Sequence, residues 1–136
     1  MSETPAAPRA AERPLSPYMI WRWHITMVCS ILHRATGVVL YGAALLLAGW
    51  ALALALGPDA FYAYQGVLGS LPGKAVLVAI TFSLFYHLAN GVRHLVWDFG
   101  AGFAPKTADA TAYLAIAFGA AATVAVWVAA GAMGAL

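Results

Sequence analysis

Six side chains with acid–base, hydrogen-bonding or ligating chemistry stand inside stretches that are otherwise apolar: Ser30, His33, Arg34, His87, His94 and Asp98. Ser83, His87, Asn90, Gly91, His94 and Asp98 follow one another at steps of four, three, one, three and four. On a helix that spacing draws a single polar stripe, with Phe85, Leu88, Val92 and Val96 facing away. Ser30, His33, Arg34, Gly37 and Tyr41 form a second stripe at the same spacing. Here a hydroxyl, an imidazole and a guanidinium converge near one end of an apolar run. Ionisable groups inside a membrane span are costly, and they face a bundle interior, a partner or a cofactor.

His87 is the most telling of them. Trp97 suits the membrane boundary, and His87 lies about 15 Å along the helix from it, near mid-membrane. A neutral imidazole there can bond another helix, relay protons or ligate haem iron. Gly91, one turn along the same face, leaves room for a flat ring. Arg34, Arg93, His33 and His94 would supply cations for haem propionates, and their sign raises the reduction potential. His87 and His94 are about 10 Å apart along one face, too far to share an iron. His33, beside Arg34, is expected at the depth of His94 and not of His87. A haem on His87 would therefore be five-coordinate or completed by another subunit. The plainer reading has Arg34 snorkelling to the interface, His33 capping the aqueous edge, and His94 and Asp98 marking the boundary. His87 would then be a packing histidine.

The elements that position these residues follow from charge. Hydrophobic residues make up 63% of the 136 and charged residues 9%, against about 25% charged in soluble domains. Charge-free runs of 24, 18 and 27 residues follow Arg34, Lys74 and Asp109, and about 20 helical residues cross a bilayer core. Three spans are expected, at about 30–56, 74–97 and 111–135. The intervening stretches 57–73 and 98–110 read as loops, because Gly and Pro stop helices at their ends. No repeat of the inverted transporter kind is present. The third span lacks ionisable side chains, and its Gly and Ala suit close helix packing. A soluble enzyme is excluded. So is a nucleic-acid binder, since a net charge of +2 provides no phosphate-binding patch. The lone cysteine, Cys29, removes intrachain disulfides and CxxC metal sites.

Residues 1–16 are rich in Pro, Ala and charge and read as a flexible cytoplasmic arm. They have neither the apolar core of a signal peptide nor the acid-poor make-up of a mitochondrial presequence, which favours a bacterial inner membrane. Residues 17–29 read as an interfacial segment opening a transmembrane domain, 17–136. Arg9, Arg13, Arg22, Arg34, Arg93 and Lys106 share one face and only Lys74 the other, so the N-terminus is expected in the cytoplasm.

The segments RPLSP (13–17), RWHITM (22–27), SILHRATG (30–37) and YHLANGVRHLVWDFG (86–100) resemble the succinate dehydrogenase cytochrome b556 subunits, small membrane anchors of respiratory complex II. The resemblance covers the arm and two spans; the third matches only as a span. It implies an all-α membrane protein of three transmembrane helices, packed with a sister anchor subunit into a haem-binding helix bundle. His87 matches the axial haem b ligand, with the second ligand from the sister anchor. Ser30 and Arg34 match residues lining the ubiquinone pocket beside the iron–sulfur subunit, and His33 a residue near the propionates. His94 is a further candidate there, and Asp98 could pair with Arg34 or feed protons to the pocket. In the family RPLSP is usually followed by His. Tyr18 stands there instead and the stretch is one residue shorter, which removes that His's contacts but leaves the haem and quinone residues in place.

The implied chemistry passes electrons from succinate, oxidised in a flavoprotein subunit, through iron–sulfur clusters to quinone. A fumarate reductase anchor has the same architecture running in reverse. A haem-free structural anchor would use the histidines only for packing, and a small proton-coupled transporter would use His and Asp for relay.

Overall fold

The computed structural model describes residues 22–134. The expected arm 1–16, the start of the interfacial segment and the last residue of the expected third span lie outside the described residues.

The described residues form helices α1 (Ile25–Leu56), α2 (Pro58–Gly69), α3 (Leu71–Asp98) and α4 (Pro105–Ala132). Three of them, α1, α3 and α4, are long and apolar enough to cross a membrane. Each starts earlier than its charge-free run. The His24 imidazole caps α1 by accepting from the Thr26 amide at 3.4 Å, so the helix opens at Ile25 and absorbs the last five residues of the expected interfacial segment. Its 32 residues span about 48 Å, more than a hydrocarbon core, leaving the His24 end at headgroup level. Ser70 caps α3 by accepting from the Gly73 amide at 3.2 Å, and Pro105 opens α4 at a position where a missing N–H costs nothing.

The expected first loop is corrected. Residues 58–69 fold as a 12-residue helix, α2. Gly and Pro do stop the chain at its ends. Gly57 takes φ +110°, a conformation side chains resist, and Pro58 then starts a new helix, with Asp59 in its first turn to meet the dipole. Nothing between them breaks the helix. Tyr64 donates to the Leu46 carbonyl at 2.7 Å and Phe61 meets Trp50 edge-on, folding α2 back onto α1.

The core is small, since only 6% of the most apolar window of α1 is buried within the chain. It lies where α3 meets α4 and the start of α1. Ala112, Ala115, Gly119 and Thr123 form the buried face of α4, the small-residue stripe expected for a packing helix. At Gly119 the backbones nearly touch: a Cβ there would stand 2.9 Å from the Tyr86 Cβ. Tyr86, fully buried, donates to the Cys29 carbonyl at 2.8 Å and ties α3 to α1.

Candidate functional site

Three imidazoles stand in a column between α1 and α3. His33 stacks on His87 with ring centroids 3.8 Å apart and planes 14° from parallel, and lies 5.3 Å from His94. The depth expected for His33 is therefore corrected: it lies between the other two and closer to His87. Because α1 starts at Ile25, His33 sits eight residues inside the helix, about 12 Å from its end. His33 still does not oppose His87 across a shared iron, because stacking turns ring faces toward each other and not nitrogen lone pairs. The missing second ligand stays missing among the described residues.

Each histidine is held differently. The His87 Nδ1 lies 3.3 Å from the Thr36 hydroxyl. Gly37 lets the ring edge approach, for a Cβ there would sit 3.3 Å from His87 Cε1. The His94 Nε2 meets the Asn90 amide at 3.3 Å, with Trp97 edge-on beside it. The His33 Nδ1 is buried and has no hydrogen-bond partner among the described residues. Next to His87, Gly91 faces open space, with nothing within 4 Å of where a Cβ would stand. An imidazole with one nitrogen tied, the other without a hydrogen bond among the described residues, and clear space one turn away fits a haem ligand. The remaining expected stripe members are split. Ser83 and Asn90 are buried, whereas Asp98 is exposed at the end of α3.

Arg93 is a second correction. Instead of lining a propionate site it turns into the core, 7% exposed. Its Nε donates to Thr111 at 3.0 Å, one terminal nitrogen to the Ala108 carbonyl at 3.0 Å, and the other to Asn90 at 3.4 Å. Its guanidinium lies 3.9 Å from the Trp97 ring centre. This arginine clamps α4 to α3.

Ser30 and Arg34 share a face of α1 one turn apart, Ser30 half-buried and Arg34 exposed. Among the described residues neither makes a hydrogen bond or ion pair, so both polar groups are available outward. Asp98 is not paired with Arg34; the ion pair found links His24 to Asp109 at 3.4 Å. A groove of about 480 Å³ between α3 and α4 is lined by Leu88, Val92, Val96 and Phe118 among others, and no imidazole lines it. Sequence reasoning gave no role to Thr36 and Tyr86. Thr36 stands within the SILHRATG segment, but its reach to His87 depends on how α1 and α3 align.

These features define a multi-pass helical membrane protein with three histidines gathered between two of its long helices. Residues 9–126 match the family model of the succinate dehydrogenase/fumarate reductase transmembrane subunit, and the chain belongs to that family. It is 36% identical over 118 residues to the succinate dehydrogenase cytochrome b556 subunit of Rickettsia felis, covering 86% of this chain and 92% of that relative. The mitochondrial cytochrome b560 subunits match shorter stretches. The mouse protein is 38% identical over 101 residues, 70% of this chain and 58% of its own. The human protein is 40% identical over 98 residues, 68% and 56%. The family expected from the motifs is thus borne out, as is the all-helical, three-span architecture. The chain is a membrane-anchoring part of an enzyme complex.

Proposed function

We propose that this chain is the haem b-binding anchor of a bacterial inner-membrane succinate:ubiquinone oxidoreductase and forms part of its quinone-reduction site. The observation that carries the reading is His87, half-buried between α1 and α3, with Nδ1 tied to Thr36 and open space at Gly91. Haem b held there supplies a one-electron store beside the quinone. His87 would hold that haem from this chain, and the sister anchor would supply its other protein ligand. His33, with its buried unpartnered nitrogen, and His94 are the groups suited to the propionates.

Ser30 and Arg34 form the quinone end. The Arg34 guanidinium, exposed on α1, polarises a quinone carbonyl and stabilises the charge that grows on its oxygen during reduction. Ser30, one turn back, hydrogen-bonds the quinone or a water that delivers protons. Asp98, exposed at the same end of the bundle, is suited to feeding that water from the aqueous side. The iron–sulfur subunit, reduced by the flavoprotein subunit, docks on this face, where Arg22, Arg34 and Lys106 face outward and which the positive-inside bias assigns to the cytoplasm. A fumarate reductase anchor would use the same residues; ubiquinone in the purified complex supports succinate oxidation, and menaquinone alone supports the reverse.

Tagging this chain and purifying the intact complex tests the reading. Flavoprotein, iron–sulfur and second anchor subunits are expected with it. Arg34→Ala is expected to abolish quinone reduction while succinate oxidation by an artificial dye continues. Equal loss of both activities would make Arg34 structural.

A further inference from the structure

We infer that Thr36 is a positioning residue that fixes the tautomer of His87 and thereby tunes the iron His87 holds, an inference that rests on the haem reading above. Thr36 is 4% exposed and stands on α1, across the helix interface from His87. Its hydroxyl lies 2.9 Å from the Leu32 carbonyl and 3.0 Å from that of His33, the back-bonding geometry of a threonine in a helix.

A hydroxyl has one proton and two lone pairs. The shorter contacts place that proton on the α1 carbonyls. The 3.3 Å contact with His87 Nδ1 then runs the other way, with Nδ1–H donating to the hydroxyl oxygen. This fixes the proton on Nδ1 and leaves the Nε2 lone pair for a metal. It also makes the imidazole a stronger electron donor, the usual effect of a hydrogen bond behind a metal-bound histidine. Gly37 completes the arrangement, because a Cβ there would stand 3.3 Å from Cε1 and crowd the ring edge.

A stronger donor favours oxidised iron over reduced iron, so removing the acceptor raises the midpoint potential. Partners behind metal ligands are worth about 10–100-fold in affinity. Taking the lower figure as the lost preference for oxidised iron gives an upward shift of about 59 mV for one electron.

The experiment compares Thr36→Val, Thr36→Ser and Thr36→Ala in the purified holo-complex. Haem b is quantified per complex and its midpoint potential titrated at the visible band. Thr36→Val, nearly isosteric but without an acceptor, is expected to raise the potential by tens of millivolts and to lose haem more readily. Thr36→Ser is expected to keep the wild-type potential. An unchanged potential in Thr36→Val would reduce Thr36 to helix packing. Should Thr36→Val fail to assemble, the Ser and Ala variants decide: both lack the methyl group and differ by the hydroxyl, and equal potentials overturn the inference. His87→Ala separates the two levels. A b-type band that survives it defeats the haem reading and the role of Thr36 together. A band lost in His87→Ala, with Thr36→Val unchanged, defeats only the role of Thr36.

Discussion

Gly119→Ala probes the packing on which the bundle depends. The added Cβ would stand 2.9 Å from Tyr86 Cβ, 3.1 Å from its Cα and 3.2 Å from its amide nitrogen. Carbon atoms prefer about 3.5–4.0 Å, so α3 and α4 must separate by roughly 0.5–1 Å at that level. Two of the three atoms are backbone, and no side-chain rotation relieves them. Overpacking of this kind costs about 1–3 kcal/mol. Replacing a mid-helix glycine returns about 0.5–1 kcal/mol of backbone entropy. The net is a loss of about 0–2.5 kcal/mol, up to roughly 70-fold in the folded-to-unfolded ratio. The same movement strains the Tyr86 bond to Cys29 and the Arg93 clamp, which places the loss toward the upper end. Gly66→Ala is the control, since it lies on the exposed side of α2 with nothing within 4 Å of its Cβ position. The assay heats the detergent-solubilised complex and follows the assembled fraction by size-exclusion chromatography. Gly119→Ala is expected to disassemble at lower temperature than wild type and Gly66→Ala at the same or higher temperature. A Gly119→Ala complex as stable as Gly66→Ala would refute the close backbone contact.

Three other perturbations read the same geometry. Tyr86→Phe removes the buried bond to the Cys29 carbonyl and should cost about 0.6–1.7 kcal/mol, the range of interhelical hydrogen bonds in bilayers, read in the same heating assay. Arg93→Lys keeps the charge but loses the fork that reaches Thr111, Ala108 and Asn90 together; losing one charge-assisted bond costs about 1.5–3 kcal/mol, so Arg93→Lys should fall well below wild type. For topology, an impermeant maleimide should label Lys106→Cys from the cytoplasmic side and Lys74→Cys from the opposite side. The native Cys29 is fully buried and stays silent, and the reverse pattern would invert the assigned orientation.

The spans were legible because twelve charged residues leave long uncharged runs, and no soluble fold tolerates them. Helix starts were less so. They depend on His24 and Ser70 accepting backbone N–H groups, which extends α1 and α3 beyond the apolar runs. Residues 58–69 were misread because Gly57 and Pro58 mark a break that a loop or a new helix can equally succeed. The contacts of Phe61 and Tyr64 with α1 hold this stretch as a helix. Within the site, the depth of His87 could be read from one helix alone. The placement of His33 could not, because it depends on where α1 begins and how α1 and α3 align. Arg93 stands one residue before His94 in the sequence, yet a helical step of about 100° turns it into α4. Composition cannot tell those two directions apart.

The claim that His87 holds haem b is tested most directly by a reduced-minus-oxidised visible spectrum of the intact complex, wild type beside His87→Ala. Subunit and flavin content are measured in the same samples. A b-type band in the wild type that disappears in His87→Ala, with the flavoprotein and iron–sulfur subunits still bound, is the expected result. A band of equal height in both would contradict it.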